Sequence, residues 1–130
     1  MDIVIVLISI ILFNQFFYKT LKKKYPFINI KMLNILFVYH LLFFVIYYTY
    51  ALFRPSDSKH YYYVSKTADD WLHFFNTGTD FISFLAIPFV KAGLSYPATM
   101  LLFSWFGFLG FIYTYLFLEK ILESLCISSG

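Results

Sequence analysis

The residues best suited to chemistry lie in one polar stretch. Between Arg54 and Asp80 the chain places four of its seven acids (Asp57, Asp69, Asp70, Asp80) and two of its three histidines (His60, His73) among aromatic side chains. A carboxylate can take the proton from an attacking hydroxyl, or hold a metal that steadies a diphosphate leaving group. Tyrosine and tryptophan rings stack on the apolar faces of sugars, and Arg54 or Lys59 can pair with phosphate. Asp57 is the residue expected to be catalytic, because it directly follows Arg54-Pro55-Ser56, a turn rigid enough to hold it at a membrane surface. The residues expected to bind substrate are Arg54, His60, Tyr61, Tyr62, Asp69 and Asp70. Plainer roles compete with these. Asp57 can simply cap its turn, Thr79 or Asp80 can cap the helix that follows, and Asp69-Asp70 can open an amphipathic helix running to Phe75.

Other chemistries find no support in the spacing. His60 and His73 are too far apart for a local metal motif, so no metal site is expected. Nucleophile elbows, phosphate-cradling glycine loops and zinc-ligand sets are missing as well. Cys126 is the only cysteine, which excludes an internal disulfide. Half of the ten basic residues sit in one short stretch, and no arginine-aromatic interleaving points to nucleic acid.

What must position the polar stretch is a set of membrane helices. The chain of 130 residues is 61% hydrophobic, 25% aromatic and only 13% charged, with a mean hydropathy of +0.73. A soluble domain carries about 25% charged residues, and there are too few here to cover a water-facing surface. The expected architecture is all-α and membrane-embedded: about three transmembrane helices plus a short interfacial or re-entrant helix, forming one membrane domain. Membrane lipids are therefore obligatory partners.

Residues 3–18 form the first uncharged run; without a basic start or a small-residue cleavage site, it reads as a retained helix rather than a signal peptide. Residues 32–53 form the second span, with His40 its one titratable group and Tyr47, Tyr48 and Tyr50 at its far end. His40 is expected to be neutral and bonded to a neighbouring helix, with a functional role as the alternative. Residues 54–80 are expected to be an extracytoplasmic loop. The run 81–93 is too short to span and contains Pro88, Lys91 and Gly93. Residues 97–118 complete the third span, on which Ser104, Gly107, Gly110 and Thr114 share a face small enough for another helix to approach. Five lysines (Lys19, Lys22, Lys23, Lys24, Lys31) and no acid join the first two spans. By the positive-inside rule that linker is cytoplasmic, which puts the N-terminus and the polar stretch outside and the C-terminus inside.

Several short segments carry a likeness. Tyr39-His40-Leu41-Leu42-Phe43, Ser56-Asp57-Ser58 with Tyr61-Tyr62-Tyr63, Phe75-Asn76-Thr77-Gly78-Thr79-Asp80-Phe81-Ile82 and Leu94-Ser95-Tyr96 resemble bacterial polytopic proteins of the polysaccharide-polymerase (O-antigen or exopolysaccharide) and C-type glycosyltransferase kind. The likeness covers residues 36–118. It implies an envelope enzyme in the bacterial cytoplasmic membrane acting on lipid-linked oligosaccharide, with Asp57 as the acid of an early outer loop and Tyr61 and Tyr62 behind it. Such proteins have many more helices, so the resemblance implies their N-terminal part, completed by further transmembrane helices. The alternative expectation is a small non-enzymatic subunit that packs on a partner membrane protein.

Overall fold

The computed structural model describes residues 1–128. These residues form five α-helices, α1 (Asp2–Lys24), α2 (Ile30–Phe53), α3 (Asp57–Thr67), α4 (Thr79–Lys91) and α5 (Tyr96–Ser128), with a 3-10 turn at Leu72–Phe74 before α4. No strand occurs among the described residues. α1, α2 and residues Tyr96–Leu125 of α5 are long and apolar enough to cross a membrane. The chain is therefore an all-α integral membrane protein. α4 has 13 residues, which at 1.5 Å per residue reach about 20 Å, short of the ~30 Å hydrocarbon core.

Each helix ends for a local reason. Lys22, Lys23 and Lys24 occupy the last turn of α1, where cations suit the carbonyl end of the macrodipole, and Pro26 prevents continuation. Asn29 caps α2, its Oδ1 accepting the Lys31 amide at 2.9 Å and the Met32 amide at 3.4 Å. Pro55 stops α2 after Phe53. Gly93, at φ +97°, closes α4, and the amide of Leu94 reaches back to the Phe89 carbonyl at 3.1 Å.

α5 is the mast of the bundle. The α1 residues Ile10, Asn14, Tyr18 and Leu21, spaced by helical turns, form its buried stripe and join a core with Leu101, Phe108 and Ile112 of α5 and Leu33 and Phe37 of α2. Phe108 sits at the centre, its ring 5.3 Å from Phe37 and 6.3 Å from Tyr18. Inside this core the indole N–H of Trp105 donates to Asn14 Oδ1 at 2.9 Å. Paired polar groups of this kind hold helices together where lipid offers them no alternative partner. The outer aliphatic side chains of α1 and α2, such as Ile5, Leu12, Val38 and Val45, are exposed, as lipid-facing positions require.

The two ends of the bundle are distinct. Asp2 Oδ2 accepts the Ser95 amide at 2.6 Å, tying the start of α1 to the α4–α5 turn. The N-terminus and residues 54–96 thus share one end, and the lysine-rich α1–α2 connection occupies the other. Several expected boundaries move. Residues 54–80 are not a continuous loop, because Asp57–Thr67 is helical: Asp57 in its first turn and Lys66 in its last complement the macrodipole. α1 runs through the lysines to Lys24, and α5 continues past residue 118, since Lys120 and Glu123 are good helix formers once the chain leaves the apolar layer. α4 is entered through Gly78, at φ +74°, rather than capped by Thr79 or Asp80. Glycine at the cap position has no side-chain oxygen to offer the first amides.

Candidate functional site

α3 and α4 pack together as a lid over the C-terminal end of α2 and the N-terminal end of α5. Two bonds join them, Ser65 Oγ to the Ser83 carbonyl at 3.5 Å and Lys91 Nζ to the Lys66 carbonyl at 3.1 Å, and the Trp71 indole N–H ties the connecting segment to the Phe84 carbonyl of α4 at 2.9 Å. The Trp71 ring also stacks on Phe84, with centroids 5.0 Å apart.

Between this lid and the two long helices lies a half-open cleft of about 330 Å³. Phe43, Phe44 and Tyr47 of α2 form one wall, Tyr61 and Tyr62 of α3 a second, Ile82 and Ala86 of α4 a third, and Tyr96, Met100 and Phe103 of α5 the fourth. Its polar atoms converge at one corner. Ser56 Oγ lies 2.9 Å from Ser58 Oγ, which lies 2.8 Å from the Tyr96 hydroxyl. Tyr62 donates its hydroxyl to the Leu94 carbonyl at 3.2 Å, and its ring meets Tyr96 edge-on at 5.6 Å. Tyr48 stands behind Tyr96, 6.0 Å between centroids. Thr99 and Ser104 add hydroxyl-bearing side chains lower on the α5 wall. An apolar, aromatic cavity with a few convergent hydroxyls is the ordinary form of a small-ligand site.

The residues expected from sequence divide sharply. Tyr61 and Tyr62 line the cleft. Asp57, one residue before the lining Ser58, is exposed and makes no side-chain hydrogen bond or ion pair among the described residues. Arg54 and His60 are also exposed and outside the lining, and Arg54 does not pair with Asp57. Asp69 is solvent-facing, while Asp70 Oδ1 accepts the Leu72 amide at 3.0 Å and so holds the 3-10 turn instead of an amphipathic helix. That turn leaves Leu72 and Phe75 about 70% exposed, at 71% and 70%, a pair suited to dipping into a headgroup layer. Asp80 takes the Asn76 side-chain amide at 3.3 Å. No group of three or more His, Cys, Asp or Glu able to hold a metal occurs among the described residues.

Ser58, Tyr96, Phe43, Tyr47 and Phe103 complete the cleft without having been singled out for it. Their signal in the sequence was slight. The tyrosines of α2 read as an interfacial belt, and nothing in the spacing joins residue 58 to residue 96. His40 Nδ1 bonds the Leu36 carbonyl of its own helix at 3.0 Å, not a neighbouring helix. Its ring packs edge-on against Phe108 and Phe111 of α5, 5.4 and 5.2 Å away. The small-residue face of α5 is open at its two glycines, where a Cβ built on Gly107 or Gly110 meets nothing within 4 Å, while Ser104 lines the cleft. No family model, curated protein or solved structure matches this chain.

Proposed function

We propose that this chain is the lipid-substrate-binding part of a membrane enzyme that handles lipid-linked sugars. The single observation that carries the reading is the tyrosine-walled cleft at the membrane-facing side of the lid. Its apolar walls suit a hydrocarbon chain, and its Ser58–Tyr96 corner suits the polar junction where such a chain meets a phosphate or sugar. Asp57, exposed, precedes the lining Ser58 in the chain. On this reading the head of a ligand seated in the cleft projects past the corner to this carboxylate, which takes the proton. The likeness of residues 36–118 to polysaccharide polymerases and C-type glycosyltransferases supports the sugar half of the proposal. On this reading the lid end faces outward from a bacterial cytoplasmic membrane, and the lysine end faces the cytoplasm.

The test is photo-crosslinking in membranes with a polyprenyl-diphosphate-sugar probe that carries a diazirine in its lipid. Adducts are expected on Tyr61, Tyr62 or Phe103. Met100→Trp, which fills the cleft, should lower their yield roughly tenfold, whereas Asp57→Asn should keep the adduct and lose sugar transfer. Undiminished labelling in Met100→Trp sinks the proposal.

A second reading is a non-enzymatic subunit docked on another membrane helix through α5. The open face at Gly107 and Gly110 favours it, because small residues let backbones approach closely. A photo-crosslinking residue placed at Gly107 should then give a specific adduct with a partner membrane protein, while the cleft variants leave that adduct untouched.

A further inference from the structure

The lysine end of the bundle carries a second feature, and it does not rest on the cleft reading. Gln15 Nε2 donates to Asn34 Oδ1 at 3.4 Å, the polar bond that joins α1 to α2. Lys19 lies four residues beyond Gln15, and Lys31 three residues before Asn34. Residues three or four apart share a helix face, so the Gln15–Asn34 bond brings Lys19 and Lys31 to the same side of the α1–α2 seam. Lys22 and Lys23 continue that face of α1 by another turn. All four are exposed. The acids at this end, Glu119 and Glu123 of α5, form no ion pair with them; the one ion pair among the described residues is at the opposite end, between the N-terminal amine and Asp2.

Beside these lysines an open, shallow groove runs along one face of α2, formed by Ile30, Lys31, Asn34, Ile35, Val38, Tyr39 and Leu42 of that helix alone. Lys31, Ile35, Val38 and Leu42 recur at helical spacing, so the stripe runs about 16 Å from the lysines towards the middle of the bundle. Lysines draw anionic phosphate to a membrane surface, and an apolar groove takes hydrocarbon. A free phosphate satisfies only the charges, and a neutral lipid only the groove. A nucleic acid or acidic protein has no use for an apolar stripe that descends into the hydrocarbon layer.

We infer that Lys19, Lys22, Lys23 and Lys31 hold the phosphate of an anionic phospholipid whose acyl chain lies in the α2 groove. Long, flexible lysine stems suit this work, since they can converge on a phosphate from two helices while their methylenes stay against apolar surface.

The experiment is native mass spectrometry of the full chain released from mixed micelles containing equal phosphatidylglycerol and phosphatidylcholine of identical chains. The wild-type protein should retain phosphatidylglycerol at least about tenfold over phosphatidylcholine. The combined Lys19→Gln, Lys22→Gln, Lys23→Gln and Lys31→Gln variant should bring the ratio to near one. Val38→Asn, which makes the groove polar, should lower retention of phosphatidylglycerol several-fold with the lysines intact, and soluble glycerol phosphate should compete poorly. Equal retention of the two lipids by the wild type overturns the site. So does a Val38→Asn variant that keeps the full preference, because general charge attraction then suffices. Glycerol phosphate competing as well as the lipid overturns it too, by showing that only a phosphate is bound.

Discussion

The lid end and the lysine end of this bundle use polar groups in opposite ways. At the lid end, polar atoms bind one another: Ser56 with Ser58, Ser58 with Tyr96, Tyr62 with Leu94, Asp2 with Ser95. These bonds frame the half-open cleft. At the lysine end, Lys19, Lys22, Lys23 and Lys31 are unpaired and project outward. They present free charge at the head of an open groove rather than a bonded frame. A site made by internal pairing selects a ligand by fit, whereas free charge adds a selection by sign that salt screens.

The largest effect that separates the two ends is one of sidedness. Cysteines placed at Lys24 and Lys66 should react with a membrane-impermeant maleimide from opposite sides of the membrane, an all-or-none difference set by the positive-inside rule. Labelling of both from the same side breaks the contrast outright.

A smaller effect sharpens it. Gly93 terminates α4 at φ +97°, where a Cβ is disfavoured by about 1–2 kcal/mol. The space around it is open, so Gly93→Ala tests the backbone conformation and not a clash. Hydrogen exchange in nanodiscs should quicken across α3 and α4 and stay unchanged at the α1–α2 connection. Uniform quickening would show that the lid is not a separate unit of stability.

The smallest effect belongs to the lysines. Neutralising Lys19, Lys22, Lys23 and Lys31 together should shift unfolding in uncharged detergent by no more than about 0.5 kcal/mol, as for surface changes in general. A loss several times larger, read by titration with denaturing detergent, would mean that these side chains hold the fold together and are not free for lipid.

The fold class and the element types were legible because they depend on composition and on runs of uncharged residues, which lipid enforces locally. Residues 3–18, 32–53 and 97–118 each lie within a helix long enough to span, and the short run at 81–93 became α4. The helix at Asp57–Thr67 was hidden by its polarity and by a run of tyrosines that reads as readily as loop. Of the site, Tyr61 and Tyr62 could be named from an aromatic-rich neighbourhood, yet nothing local distinguished them from Tyr63, which is exposed.

By itself, then, the sequence determined that this protein lives in a membrane, where its spans fall and which connection carries the positive charge. Each of these is a sum over neighbouring residues, and solvent transfer acts on each segment separately. Only the tertiary structure decided that Ser58 meets Tyr96 across 38 residues of chain and that Gln15 meets Asn34 across 19. It also decided that Asp57 stays outside the cleft while its neighbour Ser58 lines it. Those outcomes depend on how helices cross and on their rotation about their own axes. In lipid, close packing and a few paired polar atoms set that rotation, because the hydrophobic effect no longer distinguishes one apolar face from another.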